Sequence, residues 1–248
     1  MPPSPQEVET WIFDLDNTLY PASSNLFVLI SRRMTDYIMS LLEIDETAAR
    51  IEQKRLFHTH GTTLRGLMVE YRIDPHGFLD LVHDVDLSAL AAAPVLDQAL
   101  AALPGRKLIH TNGSVPHAER ILARLGLGTH FSGIWDIVAS DFIPKPDERG
   151  YRGLCAHHGV DPRRAAMVED MACNLKPAAE LGMFTLWVRS AEAEEVADPA
   201  GPMGGFAPEA AGLAPYIHAR TGDLAGWLTR ATSHRDPASP DSPAGEVG

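Results

Sequence analysis

The spacing of apolar residues divides the chain into a helical segment and a segment in which strands and helices alternate. Residues 11–15 form a short apolar run that ends in acidic side chains, which predicts a buried strand. Over residues 25–90, apolar side chains recur at helical spacing, and no run is typical of a strand. This second stretch therefore predicts four helices.

After Pro94 the pattern changes to short apolar runs separated by helical segments. The runs predict strands at 107–110, 134–139, 165–168, 183–188 and 215–218. The intervening and flanking helices are predicted at 95–103, 115–125, 148–158, 175–181 and 223–229. Such alternation indicates an α/β protein with a parallel sheet and helices on both faces, interrupted after its first strand by a helical cap.

These boundaries predict two structural units and a tail. The core comprises residues 8–20 and 94–232, and the cap comprises residues 21–93. Within the core, residues 191–214 are rich in Gly, Pro, Ala and Glu and are predicted to form a long surface loop. Residues 233–248 are rich in Pro and Ser, a composition typical of disordered segments.

Composition and charge limit the class of partner. The chain has 248 residues, of which 45% are hydrophobic and 22% charged, as is usual for globular proteins. The formal net charge of −12 argues against a nucleic-acid polymer as partner, because such binding needs many Lys and Arg side chains. A small anion remains compatible, since one Lys and a metal ion can make a site locally positive.

We expect a cytoplasmic protein without a membrane partner. The first ten residues lack both the basic start and the apolar run of a signal peptide. No stretch reaches the roughly 18 apolar residues of a membrane span. The two cysteines, Cys155 and Cys173, match no disulfide framework or metal spacing, so we expect reduced and mostly buried thiols. The sequence does not indicate the oligomeric state.

Four short polar segments lie at or just beyond predicted strand ends. They are DLDNT at 14–18, TNG at 111–113, KP at 145–146 and ED at 169–170. Each segment alone is more typical of a solvated turn or of the start of a helix. Because the carboxyl ends of parallel strands meet at one edge of a sheet, the four segments together indicate one ligand site at that edge.

Asp14 and Asp16 are two residues apart at the end of the first strand, so both can approach one ligand. A carboxylate that faces phosphorus can attack it and form an acyl phosphate. The second carboxylate can protonate the leaving alkoxide and later deprotonate water. Carboxylates this close need a cation, and Mg²⁺ suits an all-oxygen site. The predicted ligands are the side chains of Asp14 and Asp170 and the main-chain carbonyl of Asp16.

Phosphate binding is predicted at the end of the second strand. Thr111 and the amides around Asn112 and Gly113 lie where a strand leads into the N-terminus of a helix, which favours an anion. Lys145 supplies a compact positive charge to the phosphate and to Asp14. The predicted partner is therefore a small phosphorylated metabolite.

The four segments resemble the motifs of the haloacid dehalogenase superfamily, the fourth continuing to Asn174. The resemblance extends over roughly residues 8–190. Within the superfamily, the chain resembles the pyrimidine 5'-nucleotidase-like group. The segments that carry this likeness are DNTLY at 16–20, GTTLRGL at 61–67, HDVDL at 83–87, PGRK at 104–107 and VEDMACN at 168–174.

The resemblance implies a Rossmann-like, doubly wound parallel sheet as the core and a helical cap inserted after the first strand. It also implies a Mg²⁺-dependent phosphomonoester hydrolase, with nucleoside 5'-monophosphates as the substrate class. Carried over by position, the roles are nucleophile for Asp14, acid/base for Asp16, phosphate ligands for Thr111 and Lys145, and metal ligand for Asp170.

Three further residues of the motifs are assigned to supporting positions around the site. Thr18 belongs to the first motif. The fourth motif opens with Glu169 where Gly or Asp is commoner in the superfamily, and Asn174 replaces a further acidic residue. We expect Glu169 to reach the metal through water, and Asn174 to orient Lys145 or a carboxylate.

The cap is expected to supply the residues that contact the substrate. Arg65 and His83 are the polar candidates, and the alternatives are an exposed Arg65 and a His83 that caps its helix. The aromatic side chains of Phe57, Tyr71 and Phe78 could stack on a base, but their helical spacing favours the core of the cap.

Several other functions remain open. A phosphatase of sugar phosphates or other small metabolites, and a phosphomutase, share the same core residues. A dehalogenase would not require Asp16. A Schiff-base phosphonatase is disfavoured because Lys54, the only lysine of the cap, lies among charged neighbours. In other classes, a phospho-acceptor signalling domain would have no large helical insertion. A non-catalytic binding protein would not need the complete set of core residues.

Overall fold

The computed structural model describes residues 2–189 and 214–233. Its strands are β1 (Thr10–Phe13), β2 (Arg106–His110), β3 (Ile134–Trp135), β4 (Ala165–Glu169), β5 (Phe184–Val188) and β6 (Ala219–Thr221). All six pair in parallel in one sheet, in the order β3-β2-β1-β4-β5-β6. The strand order therefore reverses beside β1, where a doubly wound sheet forms its ligand crevice.

The helices cover both faces of the sheet and form an insertion after its first strand. They are α1 (Leu26–Leu42), α2 (Glu46–His60), α3 (Thr63–Tyr71), α4 (Pro75–His83), α5 (Pro94–Ala102), α6 (Val115–Leu125), α7 (Glu148–His158), α8 (Ala172–Glu180) and α9 (Leu224–Ser233). The predicted fold class is confirmed: the chain is an α/β protein with a Rossmann-like, doubly wound parallel sheet. Within the described ranges, no helix is both long and apolar enough to cross a membrane.

Central strand β1 fixes the position of the segment that follows it, DLDNT at 14–18. All four of its residues are buried. Trp11 and Phe13 face one apolar cluster while Ile12 faces the other, as alternation along a strand requires. Because β1 is anchored on both faces and paired on both edges, the position of Asp14, the next residue, is tightly determined.

The third predicted strand, 134–139, is wrong beyond Trp135. The side chain of Asp136 accepts hydrogen bonds from the amides of Val115 and Ala139, at 2.9 and 2.8 Å. These bonds turn the chain away from the sheet immediately after β3. Local side-chain bonding has overridden an apolar run that is otherwise typical of a strand.

The last predicted strand, 215–218, is displaced to β6. Side-chain bonds hold the predicted segment instead of a ladder: Thr185 Oγ1 donates to the carbonyl of Tyr216 at 2.7 Å, and the Thr185 amide donates to His218 Nδ1 at 3.0 Å. Apart from Ala214 and Ser233, the predicted loop 191–214 and tail 233–248 lie outside the described residues.

We call residues 21–93 the helical block; its role as a cap stays a prediction. Its four helices pack on one another around buried side chains such as Ile38. The end of the block is attached to α6, because Arg120 donates to the carbonyls of His83 and Val85 at 2.8 and 3.0 Å. The block is thereby held over the carboxyl edge of the sheet.

Gly105 provides a test of how closely β2 approaches β1. It has a φ of +90°, and a Cβ there would lie 2.5 Å from the carbonyl oxygen of Glu9, which accepts from the Arg106 amide at 2.8 Å. We expect Gly105→Ala to lower the free energy of unfolding by about 3 kcal/mol or more. Gly126→Ala is the control, since its φ is also positive but a Cβ would meet no described atom within 4 Å. Gly126→Ala should lower the free energy of unfolding, measured in urea, by about 1–2 kcal/mol. Equal losses for the two variants would contradict the close approach of Gly105 to Glu9.

Candidate active site

The carboxyl ends of the central strands open into a cleft beneath the helical block. The cleft contains about 960 Å³ of empty space, part of it open to solvent. The predicted residues that line it are Asp14, Asp16, His83, Thr111, Asn112, Gly113, Lys145, Glu169, Asp170 and Asn174. Segments far apart in the sequence therefore meet in one place.

The ammonium group of Lys145 joins these segments. Its Nζ donates to Asp14 Oδ1 at 2.6 Å, to Glu169 Oε2 at 2.7 Å and to the carbonyl of His110 at 3.0 Å. Burial by itself lowers the pKa of Lys145, but the two carboxylates outweigh burial and raise the pKa above its ordinary value. A permanently charged lysine therefore links the ends of β1, β2 and β4.

Asp14 is buried and hydrogen-bonded through both carboxylate oxygens. Its Oδ2 accepts from Thr18 Oγ1 at 2.9 Å, so Thr18 directly contacts the predicted nucleophile. Burial, and then the charge of Glu169, raise the pKa of Asp14 to about 7, although Lys145 opposes them. Burial and Glu169 likewise raise the pKa of Asp170 well above its ordinary value. The site holds more negative charge than Lys145 neutralises.

Asp14, Glu169 and Asp170 form what we call the acidic cluster. One carboxylate oxygen from each lies within 4.8 Å of the others. Oxygen donors of this kind suit Mg²⁺, and a divalent cation would relieve the excess negative charge. The residues present therefore fit Mg²⁺. Glu169, expected to act through water, belongs to the cluster itself, whereas the Asp16 side chain lies outside it.

The Asp16 carboxyl has a separate set of partners. Tyr20 donates its hydroxyl to Asp16 Oδ1 at 2.6 Å, and His117 Nε2 lies 3.0 Å from the same oxygen. Burial would raise the pKa of Asp16, but attraction to His117 and the hydrogen bonds from His117 and Tyr20 lower it to about 2. Asp14 and Asp16 thus differ sharply in their environments.

His83 reaches the cleft from the end of α4 and packs on a residue of α6. The rings of His83 and His117 are stacked, with centroids 4.0 Å apart and planes 13° apart. His83 Nδ1 lies 3.1 Å from Ser114 Oγ. Burial, and then the proximity of His117, lower the pKa of His83 to about 3. The predicted substrate-contacting residue therefore also joins the helical block to the core.

The segment after β2 is held by its own side chains. Thr111 Oγ1 accepts from the Gly113 amide at 2.9 Å. Asn112 Oδ1 accepts from the Lys145 amide at 2.8 Å, and Asn112 Nδ2 donates to the Lys145 carbonyl at 3.5 Å. Asn112 therefore ties the two loops that were predicted to bind phosphate, and the phosphate contacts themselves stay a prediction.

The helical block contributes a mainly apolar surface to the cleft. The apolar wall, as we call it, consists of Phe27, Ile30, Met34, Phe57, Leu64, Phe78, Leu79 and Val82. Gln53 also lines the cleft, but its Oε1 accepts from Thr35 Oγ1 at 2.7 Å and its Nε2 donates to Ser31 Oγ at 3.2 Å. Among the described residues of the block, no Lys or Arg lines the cleft.

Other predicted residues differ, at least in part, from the positions that the sequence favoured. Arg65 is not among the described residues that line the cleft. Phe57 and Phe78, assigned to the core of the cap, line the cleft as well. The carbonyl of Asn174 accepts from Tyr151 OH at 2.6 Å, and none of the described hydrogen bonds of Asn174 reaches Lys145 or a carboxylate.

Sequence reasoning missed Tyr20 and His117. Both contact Asp16 and neither had been assigned a role. A signal was present for each: Tyr20 follows Asp16 by four residues, and His117 lies in the first turn of the helix that follows TNG. That helix begins at the carboxyl edge of the sheet, where a side chain in the first turn can reach the ligand crevice.

Comparison with known proteins assigns the chain to a family. A family model described as haloacid dehalogenase-like hydrolase matches residues 8–182, well over half of the chain. The chain belongs to this family. The match includes all four polar segments at the carboxyl edge of the sheet, so the predicted superfamily is confirmed.

Two curated relatives are distant in sequence. The chain is 25% identical over 191 residues to Phosphate metabolism protein 8 of Saccharomyces cerevisiae, a match that covers 71% of this chain and only 60% of that protein. It is 26% identical over 195 residues to validoxylamine A 7'-phosphate phosphatase of Streptomyces hygroscopicus subsp. limoneus, covering 65% of this chain and 91% of that protein.

Solved structures share the fold of this haloacid dehalogenase-like hydrolase. L-2-haloacid dehalogenase from Xanthobacter autotrophicus aligns with a TM-score of 0.56 at 19% identity, over 92% of this chain and all of that one. A HAD phosphatase from Thermococcus onnurineus aligns with a TM-score of 0.51 at 17% identity, over 74% of this chain and 87% of that one. Identities this low establish a common fold and no common reaction.

Replacing Lys145 tests its part in holding the site together. We expect Lys145→Met to lower the free energy of unfolding by about 3–5 kcal/mol, because it leaves Asp14 and Glu169 buried without their counter-ion. Lys176→Met is the matched control, since Lys176 is exposed and 4.0 Å from Glu180; it should cost less than about 1 kcal/mol. Urea unfolding measures the free energy for both variants. A loss for Lys145→Met as small as that of the control would contradict the dependence of the site on Lys145.

Proposed function

We propose that this protein is a Mg²⁺-dependent phosphomonoester hydrolase that forms a phospho-aspartate on Asp14. The observation that carries the proposal is the presence, in one cleft, of the buried acidic cluster held by Lys145 and of a second carboxylate, Asp16, outside it. Two carboxylates in different environments suit the two roles of nucleophile and acid/base. Family membership supports hydrolysis, and the names of both curated relatives refer to phosphate.

The first step transfers the phosphoryl group to the protein. A carboxylate oxygen of Asp14 attacks phosphorus, and the bond between phosphorus and the ester oxygen breaks. The electron pair of that bond goes to the ester oxygen, which takes a proton from Asp16 and leaves as the alcohol. Because the pKa of Asp16 is about 2, this step needs the negative charge of the bound phosphate to raise it.

The second step regenerates the protein. Water attacks the phosphorus of phospho-Asp14 and gives a proton to Asp16, now a carboxylate. The bond between phosphorus and Asp14 breaks, and inorganic phosphate leaves. The positive charge of Lys145 beside Asp14 balances the charge on the phosphoryl group in both steps.

The acidic cluster would hold Mg²⁺ through Asp14 and Asp170, with Glu169 and the main-chain carbonyl of Asp16 as further oxygen donors. When bound, the metal neutralises charge on the transferred phosphoryl group and helps to align it. We propose that Thr111 and the amides around Asn112 and Gly113 contact the remaining phosphate oxygens.

Two observations favour a phosphatase over the other reactions of the family. Halide needs no proton to leave carbon, so a dehalogenase has no use for a carboxyl held as firmly as Asp16 is by Tyr20 and His117. Halide displacement from carbon also has no need of a cluster suited to Mg²⁺. A phosphomutase shares the core residues and is the second candidate. Product analysis distinguishes the two, because a mutase leaves the phosphate esterified to the organic product and a hydrolase releases it as inorganic phosphate.

The apolar wall supports a nucleoside 5'-monophosphate as substrate. Both faces of a base are apolar and stack on aromatic rings, and Phe27 and Phe57 line the cleft without being fully buried. A sugar phosphate would instead need many free polar groups. Of the four described polar side chains that the block brings to the cleft, Gln53, Thr62 and His83 already have hydrogen-bond partners, which leaves Thr63. We propose that residues 21–93 act as a cap that binds the base and excludes water.

Removal of the nucleophile or the metal tests the reaction. With Mg²⁺, the unaltered chain should release phosphate from small phosphomonoesters, and a chelator should abolish release until Mg²⁺ is restored. Asp14→Asn should reduce release at least about 1,000-fold, because no carboxylate remains to accept the phosphoryl group. Asp36→Asn, an exposed change on α1, is the control and should leave release unchanged. Full activity of Asp14→Asn would refute the phospho-aspartate.

Truncating one side chain of the apolar wall tests the substrate class. We expect Phe57→Ala to raise KM for nucleoside 5'-monophosphates about tenfold, since stacking on a base contributes roughly 1–3 kcal/mol. KM for glycerol phosphate, which has nothing to stack, should change little. Ile51→Ala is the matched control on the same helix, because Ile51 is 66% exposed and lies outside the cleft. Equal effects on both substrates would rule out stacking on Phe57.

A further inference from the structure

Oxygen Oδ1 of Asp16 carries both hydrogen bonds of this carboxyl group. The hydroxyl of Tyr20 and Nε2 of His117 approach it at 2.6 and 3.0 Å. Among the described residues, none donates to Oδ2 of Asp16. Since Asp16 lines the cleft, Oδ2 is the oxygen left to exchange a proton with a bound ligand.

The His117 ring is held by two contacts, the hydrogen bond to Asp16 and the stacking on His83. It is 2% exposed and lies in the first turn of α6, against the stacked ring of His83. His83 in turn is bonded to Ser114, one residue before that helix. A ring confined in this way can direct a hydrogen bond to Asp16 Oδ1 without loss of rotamer freedom on binding.

We propose that His117 is a positioning residue for Asp16: by holding Oδ1, together with Tyr20, it presents Oδ2 to the leaving oxygen of the substrate. The inference rests on the proposed function, because it concerns the proton that Asp16 gives to the alcohol. An acid misplaced by a rotation about its side-chain bonds delivers its proton poorly, even when the rest of the site is intact.

The role has a consequence that depends on the leaving group. The oxygen of an alkyl ester must receive a proton as its bond to phosphorus breaks, since an alkoxide is a poor leaving group. The p-nitrophenolate ion is stable without a proton. Loss of the correct position of Asp16 should therefore affect an alkyl ester much more than p-nitrophenyl phosphate.

The experiment compares kcat/KM for benzyl phosphate and for p-nitrophenyl phosphate with Mg²⁺. For each ester, kcat/KM reports the steps up to and including the departure of the leaving group. His117→Ala should lower kcat/KM about 30-fold on the benzyl ester and less than about threefold on the nitrophenyl ester. His117→Gln, whose amide can donate from a similar place, should recover most of the loss on the benzyl ester.

Two further variants show whether the effect is specific to Asp16 or results from a general loss of structure. Tyr20→Phe removes only a hydroxyl and should give a smaller loss with the same dependence on the leaving group. His130→Ala is the matched control, because His130 Nε2 lies 2.6 Å from Asp97 Oδ1 in an equivalent pair outside the cleft. It should leave both rates unchanged. If His117→Ala does not fold, the test of the positioning role rests on His117→Gln and Tyr20→Phe.

The outcomes distinguish a failure of the proposed function from a failure of the positioning role of His117. If the unaltered chain releases phosphate from no nucleoside 5'-monophosphate and from neither of the two test esters, the proposed function is overturned, and the role of His117 with it. If it hydrolyses both test esters, but the His117 and Tyr20 variants lose the same factor on each, or if His117→Gln recovers nothing, only the positioning role is overturned.

Discussion

The structure of the site depends on one buried cation, the ammonium of Lys145, and on the two carboxylates that it contacts. A buried charge is tolerated only beside opposite charges and hydrogen-bond partners. Lys145 finds them in Asp14 after β1, Glu169 at the end of β4 and the carbonyl of His110 at the end of β2. Moving β1 or β4 would leave a charge unpaired, and moving β2 would remove a hydrogen bond from Lys145. The geometry of the sheet edge and that of the site are therefore one constraint.

A second feature is the separation of two carboxylates that are only two residues apart. Asp14 lies within a cluster of negative charge, and burial with Glu169 raises its pKa. Asp16 is bonded to Tyr20 and His117, and its pKa is lowered. The same strand end delivers both groups, but β4 determines the surroundings of one and α6 those of the other. That difference is what allows one to act as nucleophile while the other moves a proton.

Most of the fold was readable from periodicity, because apolar spacing reports which face of each element is buried. The helical insertion and the alternating core follow from this pattern, and the structure bears them out. The errors lie where short polar contacts outweigh the pattern. Asp136 ends β3 early by binding two amides, and Thr185 holds the segment around Tyr216 through side-chain bonds.

The sequence by itself determined which residues come to the carboxyl edge of the sheet, because strand ends and their order along the chain are local properties. It therefore indicated Asp14, Asp16 and Asp170. Lys145 lies ten residues beyond the end of β3, so for this residue the predicted strand end was wrong although the lysine does reach the site. Only the tertiary structure decided their partners: Glu169 in the acidic cluster, and His117 against Asp16. Direct contacts between residues distant in the chain depend on how strands and helices pack, and no spacing within one segment encodes them.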